Sequence, residues 1–264
     1  MNNLELNKIY NESNLYTMAK MPDNYLDLTV TSPPYDGLRD YNGYSFDFEN
    51  VAKELYRVTK DGGVVVWIVG DATVKGSETG TSFKQALYFK DIGFNLHDTM
   101  IYQKNSFPFP PSNRYFGVFE YMFVLSKNSP KTNNLLRVKT KGEDKKSTGA
   151  RQKDGSIKLH QYETGKDTRV KENVWIYETG YSKTTTDVEA FNHPAMFPEK
   201  LVADHIYSWS NEGDLVYDCF MGSGTTAKMA HIYKRNWIGS EISKEYVDLA
   251  NKRLQPYLDQ TTLF

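Results

Sequence analysis

Two short stretches carry residue types that could do chemistry together. The first is Thr31-Ser32-Pro33-Pro34-Tyr35, which follows an apolar run, residues 26–30 (LDLTV), that reads as a buried strand. Proline has no amide hydrogen and pushes the residue before it out of the helical region, so the strand must stop at Thr31 or Ser32. The tip then presents a hydroxyl on Ser32, a rigid carbonyl on Pro33 and an aromatic face on Tyr35. Acceptors fixed by two prolines can hold an N–H donor with little reorganisation at the moment of reaction. The plain alternative is a strand-terminating turn with a core tyrosine.

The second stretch is Asp218-Cys219-Phe220-Met221-Gly222-Ser223-Gly224-Thr225-Thr226, between a predicted strand at 214–218 and a helix within 222–233. Glycines in that position let backbone approach a ligand closely and aim helix N–H groups at it. Glu241 lies 23 residues beyond Asp218, at the end of the next predicted strand (236–241). A carboxylate there can accept hydrogen bonds from both hydroxyls of a ribose. The combination reads as a nucleoside pocket without naming the nucleotide, since Gly222, Gly224 and Ala227 also satisfy the loose G-x-G-x-x-G/A dinucleotide pattern. The alternatives are a ligand-free βα turn and a merely helix-capping Asp218. Cys219 reads as a small packing residue, with His231 in the following helix facing elsewhere.

These residues need elements to place them. A helix is expected within 46–58, where Val51, Leu55 and Val58 recur at intervals of four and three, with Gly62-Gly63 as its cap. A strand at 64–70, a helix around 82–93 and strands at 100–104 and 119–125 follow. After residue 186 come a helix around 198–208 with Pro198 in its first turn, the strand and helix already named, the strand at 236–241 and a last helix at 243–258. Such alternation predicts a doubly wound α/β sheet, parallel, with helices on both faces. Ligands on such a sheet bind at the carboxyl edge of the strands, where both chemical stretches would meet.

Residues 126–186 differ in texture. About fourteen Lys and Arg face about seven Asp and Glu there, and long apolar periodicity is absent, although 174–178 (VWIYE) reads as ordered. Clustered positive charge suits nucleic-acid phosphates; the alternative is a solvated loop. The chain as a whole is near neutral, at −1 over 264 residues, and has one Cys, which excludes a disulfide framework and a cysteine-rich zinc site. His97, His160 and His205 are isolated and no metal site is read from them. The longest apolar runs are too short to cross a bilayer and the N-terminus lacks a leader pattern, so a cytoplasmic protein without membrane attachment is expected.

Taken together, the motifs resemble those of the amino-group DNA methyltransferases that use S-adenosylmethionine. Residues 31–35 resemble the family's (D/N/S)-P-P-(Y/F) catalytic motif, and 218–226 its D-P-F-x-G-S-G-T-T cofactor loop. His193-Pro194-Ala195-Met196-Phe197-Pro198 resembles the H-P-x-x-F/K-P segment that closes over the methionine end. The catalytic motif comes first, as in the family's beta arrangement. The resemblance implies a Rossmann-like methyltransferase domain in two halves, 1–126 catalytic and 187–264 cofactor-binding, around a target-recognition insertion at 127–186. It implies Ser32, Pro33, Pro34 and Tyr35 as catalytic residues. It implies His193, Phe197, Asp218, Phe220, Gly222, Ser223, Gly224, Thr225, Thr226 and Glu241 as cofactor-binding residues. Double-stranded DNA is the implied partner, with a cognate restriction endonuclease as a second one, in a monomer or homodimer.

Ser at position 32 resembles the members acting on N4 of cytosine, with N6 of adenine as the alternative; an extruded base would stack on Tyr35. The chain departs from the pattern at Cys219, where the family has Pro, and at Glu12-Ser13, where Gly-Asp is usual; Glu12, Ser13 or Asp36 could substitute. Asp71, after the strand at 64–70, is either active-site wall or a helix cap, and 107–117 either walls the base pocket, with Arg114 on a phosphate, or only packs. Two rivals are a nucleic-acid-binding module with a vestigial pocket and a nicotinamide-linked oxidoreductase; the latter leaves the Ser-Pro-Pro-Tyr turn unexplained.

Overall fold

The computed structural model describes residues 4–34, 47–105, 113–139, 147–161, 167–180, 183–185, 187 and 197–260. In chain order the first elements are β1 (Lys8–Tyr10), α1 (Asn14–Ala19), β2 (Leu26–Thr31), α2 (Phe48–Val58), β3 (Thr59–Val69), β4 (Thr73–Val74) and β5 (Ser77–Glu78). Then follow α3 (Thr81–Asp91), β6 (Asn95–Lys104), β7 (Phe119–Ser126), β8 (Arg137–Lys139), β9 (Ser147–Arg151), β10 (Ile157–Gln161), β11 (Thr168–Val170) and β12 (Val174–Tyr177). The chain continues through α4 (Glu199–Trp209), β13 (Leu215–Asp218), α5 (Thr225–Ile232), β14 (Asn236–Ser240) and α6 (Lys244–Asp259).

Among the described residues, eight strands form one sheet in the order β1-β14-β13-β2-β3-β7-β6-β12. Every neighbouring pair is parallel except those of β7, which is antiparallel to both β3 and β6. The parallel sheet expected from alternation is therefore corrected at residues 119–125. Adjacent parallel strands need a crossover, usually a helix, and no helix is described between β6 and β7.

Strands buried on both faces read as continuous apolar runs, and β3 shows why. Val65, Trp67 and Val69 share a core with Met18 of α1, Val51, Leu55 and Val58 of α2, and Phe89 of α3. The alternate residues Val64, Val66 and Ile68 are equally buried, and α4 packs across β2 and β3 and against α5, which packs on α6. Two helical layers thus enclose the sheet, as the doubly wound reading requires.

Helix α2 is capped by Asp47, whose carboxylate accepts the Asn50 amide at 3.2 Å. It does not end at the glycines. Thr59 is already extended, with the Tyr25 and Asn24 amides donating to the Val58 and Arg57 carbonyls. Gly62 (φ +79°) instead lies inside β3, where the register with β2 slips, and its amide donates to Lys127. Pro198 stands at the N-cap of α4, one residue earlier than expected.

The chain divides into two compact units, residues 1–134 with 173–264 and residues 135–172. The smaller unit holds two antiparallel ribbons, β8 with β11 and β9 with β10. Its limits fall inside the 127–186 expected from composition, and β12 belongs to the large sheet.

Candidate functional site

Strands β2 and β13 are parallel neighbours, with Tyr217 opposite Thr29, so their carboxyl ends lie side by side. Thr31 joins the two chemical stretches there: its Oγ1 donates to Asp218 Oδ1 at 2.6 Å and lies 3.5 Å from Cys219 Sγ. Asp218 is 2% exposed. It also accepts the Thr226 hydroxyl at 2.6 Å and the Phe220 amide at 3.0 Å. Burial pushes its carboxyl above the usual carboxylate range, against these three donors, which favour the charged form. Asp218 therefore does more than cap a helix. It pins the turn that follows β13 to the tip that follows β2, where Ser32 and Pro34 are half-buried and Pro33 buried. Tyr35, Asp36 and residues 193–196, His193 among them, lie outside the described residues.

The glycine turn is held from several sides. The Met221 amide donates to the Ser240 carbonyl at 2.9 Å and the Gly222 amide to Glu241 Oε2 at 2.9 Å. Gly224 has φ +80°, a conformation that favours glycine, and a Cβ there would lie 3.0 Å from that of Ala250. Glu241 also accepts the Ser243 amide at 2.8 Å, and burial raises its carboxyl above the ordinary value. A carboxylate has about four acceptor positions, so two amides leave capacity for a pair of hydroxyls. Half-buried Phe220 packs against Trp67 at 6.3 Å between ring centroids, and half-buried Phe197 stands next to the N-cap of α4.

Ser223, Thr225 and Thr226 turn out differently from a simple ligand-holding loop. All three are buried, and their hydroxyls point to protein partners: Thr226 to Asp218, Ser223 and Thr225 to Arg253 of α6. Cys219 is buried and its thiol pushed well up by burial, which fits packing and no nucleophile. His231 faces α6, 3.1 Å from the Tyr257 carbonyl.

Asp71 proves to be a cap for α3, accepting the Ser82 amide at 2.9 Å together with the Ser82 hydroxyl. Arg114 braces the β4–β5 hairpin through the Gly76 carbonyl and Glu78; residues 107–112 lie outside the described residues. Glu12 accepts Thr17 at 2.9 Å and Lys20 at 2.6 Å.

Several contributors escape sequence reasoning. Thr31 reads as a strand end at the head of the motif, with nothing to mark its bond to Asp218. Asn14 donates to the Cys219 carbonyl at 3.2 Å, and Asn11 to the Glu241 and Ile242 carbonyls at 3.0 Å each. No local pattern marks these two asparagines, because the groups they meet are more than 200 residues away. Arg253 did leave a signal: it sits on the stripe Val247, Ala250, Leu254 of α6, a charge on an apolar face.

A family model described as DNA methylase matches residues 26–252. The orphan methyltransferase M.BamHII of Bacillus amyloliquefaciens is 60% identical over 246 residues, covering 89% of this chain and 91% of that one. Among solved structures, the PvuII DNA methyltransferase (cytosine-N4-specific) superposes with a TM-score of 0.69 at 20% identity, over 96% of this chain and 90% of that one. The TTHA0409 protein of Thermus thermophilus, solved with S-adenosyl-L-methionine, gives 0.65 at 22% identity, over 95% and 93%. The order of the motifs, the sheet that brings them together and this likeness agree, and the chain belongs to the N6/N4 DNA methylase family.

Proposed function

We propose that this chain transfers a methyl group from S-adenosylmethionine to the exocyclic amine of a DNA base, N4 of cytosine in preference to N6 of adenine. The observation that carries the reading is the 2.6 Å bond from Thr31 to Asp218, which fastens the Ser-Pro-Pro tip to the glycine turn. The donor's sulfonium, when bound, supplies an electrophilic methyl group; everything else falls to side chains and backbone.

The residues present fit such a donor. Glu241 is oriented by two amides and keeps acceptor capacity for ribose hydroxyls. Phe220 offers an apolar surface, and Gly222 and Gly224 let backbone come close. Phe197, with His193 by its motif, covers the other end. Asp218, Ser223, Thr225 and Thr226 hold the loop's shape.

An exocyclic amine is a poor nucleophile because its lone pair is delocalised into the ring. Ser32 Oγ and the Pro33 carbonyl accept its N–H groups and turn the nitrogen's lone pair toward the methyl group, with the two prolines keeping the carbonyl fixed. The base must leave the duplex to reach them, and Tyr35 gives it a face to stack on. Direct transfer needs no protein nucleophile, in keeping with the buried Cys219 thiol. Ser32 favours cytosine, by the motif. The unit 135–172 reads DNA: its eleven Lys and Arg against six Asp and Glu give 11 − 6 = +5. With a relative named an orphan methyltransferase, we read the chain as acting without an obligate endonuclease partner. No helix among the described residues is long and apolar enough to cross a membrane.

The test is nucleoside mass spectrometry of DNA incubated with the enzyme and isotope-labelled S-adenosylmethionine. Labelled N4-methylcytosine is expected. N6-methyladenine would overturn the base assignment, and no label in DNA would overturn the activity.

A further inference from the structure

Beneath the glycine turn lies a buried cluster of charges that the proposed chemistry does not use. Arg253, whose side chain is 1% exposed, reaches three parts of the chain at once. Its Nη1 donates to the Ser223 carbonyl at 3.0 Å, the Ser223 hydroxyl at 3.3 Å and the Thr225 hydroxyl at 2.9 Å. Nε donates to Asp187 Oδ2 at 2.6 Å, and Nη2 to Glu199 Oε1 at 2.6 Å and Thr185 Oγ1 at 3.4 Å. Lys228 of α5, 3% exposed, completes the group at 2.8 Å from Asp187 and 2.7 Å from Glu199, and the Tyr257 hydroxyl donates to Asp187. Two buried cations thus face two half-buried carboxylates.

Buried ion pairs are a poor route to stability, because desolvation offsets most of the attraction. Their value is geometric, and the geometry here is specific. A guanidinium is a planar fork with five donors, so one group can fix carboxylates on one side and a loop on the other. Arg253 directs one prong at the turn between β13 and α5 and two at Asp187 and Glu199, which bracket residues 188–198 in sequence. An ammonium in its place cannot serve all these acceptors in the same directions.

We infer that Arg253 is a positioning residue for methyl-donor binding: held by Asp187 and Glu199, it sets the conformation of Ser223-Gly224-Thr225 and thereby the affinity for S-adenosylmethionine. The inference rests on the reading of that turn as the donor site.

Isothermal titration of the full-length protein with S-adenosylmethionine, paired with steady-state kinetics on DNA, tests it. Wild type that binds no donor would remove the underlying reading. With wild-type binding in place, Arg253→Lys is expected to weaken donor affinity about tenfold or more and raise its KM in proportion, as loss of charge-assisted hydrogen bonds predicts, while kcat at saturating donor stays within about threefold. Affinity within twofold of wild type, or a fall confined to kcat, would overturn the inference. Arg235→Lys is the control, since Arg235 is similarly buried but bonds Ser210 and Tyr233, away from the turn; its donor affinity should not move, and an equal loss there would reduce Arg253 to a general structural role and overturn the inference. Should Arg253→Lys fail to fold, Thr225→Val removes one hydroxyl contact and keeps every charge: a loss of about threefold or more supports the inference, and unchanged affinity overturns it.

Discussion

Ser32 stands one residue beyond a hydroxyl that is already engaged, because Thr31 spends its donor on Asp218. The Thr31 bond places Ser32, whose hydroxyl is the proposed acceptor for the amine of the base. Ser32→Ala should therefore lower single-turnover methyl transfer by roughly 10- to 100-fold, in the range of a lost preorganised hydrogen bond, with donor affinity by titration changed less than twofold. Equal loss of both would remove Ser32 from the catalytic role. Glu241→Ala should do the reverse, weakening donor affinity roughly tenfold or more, since Glu241 is bonded to the glycine turn through the Gly222 amide. Asp218 gives a pH signature. Its carboxyl is raised by burial above the roughly 3.9 expected unfolded. A group raised in this way binds more protons folded than unfolded, so stability falls as pH rises from that value upward. Urea unfolding of Asp218→Asn should be flatter over that range than wild type. Asp218→Ala takes the short acceptor from Thr31, Thr226 and the Phe220 amide, leaving the two hydroxyls only longer contacts to Cys219 Sγ at 3.5 Å and the Val30 carbonyl at 3.4 Å, and should cost about 3 kcal/mol.

At the scale of elements, the turn between β13 and α5 depends on a conformation that side chains resist. Gly224→Ala adds a left-handed penalty of about 1–2 kcal/mol and a methyl group 3.0 Å from Ala250 of α6. Gly76 has a similar φ, +82° against +80°, with nothing within 4 Å of its added Cβ. Thermal unfolding should show Gly76→Ala lowering Tm by a few degrees and Gly224→Ala by more, the difference reporting the contact with α6; equal shifts would mean that α6 simply yields. The strands were legible because parallel strands buried on both faces leave unbroken apolar runs such as 64–69. The direction of β7 was not, since its apolar residues would look the same either way and only the pairing partner decides. Gly62-Gly63 read as a cap because glycine after a helix usually is one; here long-range pairing with Lys127 claimed them for β3. At the site, the glycines, Glu241 and the twin prolines announced themselves by local spacing. Asn11, Asn14, Asp187 and Glu199 did not, since what they touch is set by tertiary structure.

For the whole molecule, charge is distributed unevenly. The unit 135–172 carries +5, so with −1 overall the remaining 226 residues carry −1 − 5 = −6. A polyanion is repelled by the larger unit on average, and the proposed reading of DNA by residues 135–172 puts the contact where the balance is positive. Lys139, Arg151, Lys153 and Lys158 are exposed on or beside the ribbons. Each phosphate neutralised by such a residue adds about 0.9 to the slope of log K against log salt on duplex DNA. Replacing all four with Gln should weaken DNA binding and flatten that slope by up to about 3.6, measured by fluorescence anisotropy between 50 and 200 mM salt. Exposed substitutions of this kind change stability little, so donor affinity and Tm should stay near wild type and separate a lost DNA contact from a damaged fold. An unaltered slope would mean that phosphates are met elsewhere, and that the basic unit is a solvated insertion with no part in reading DNA.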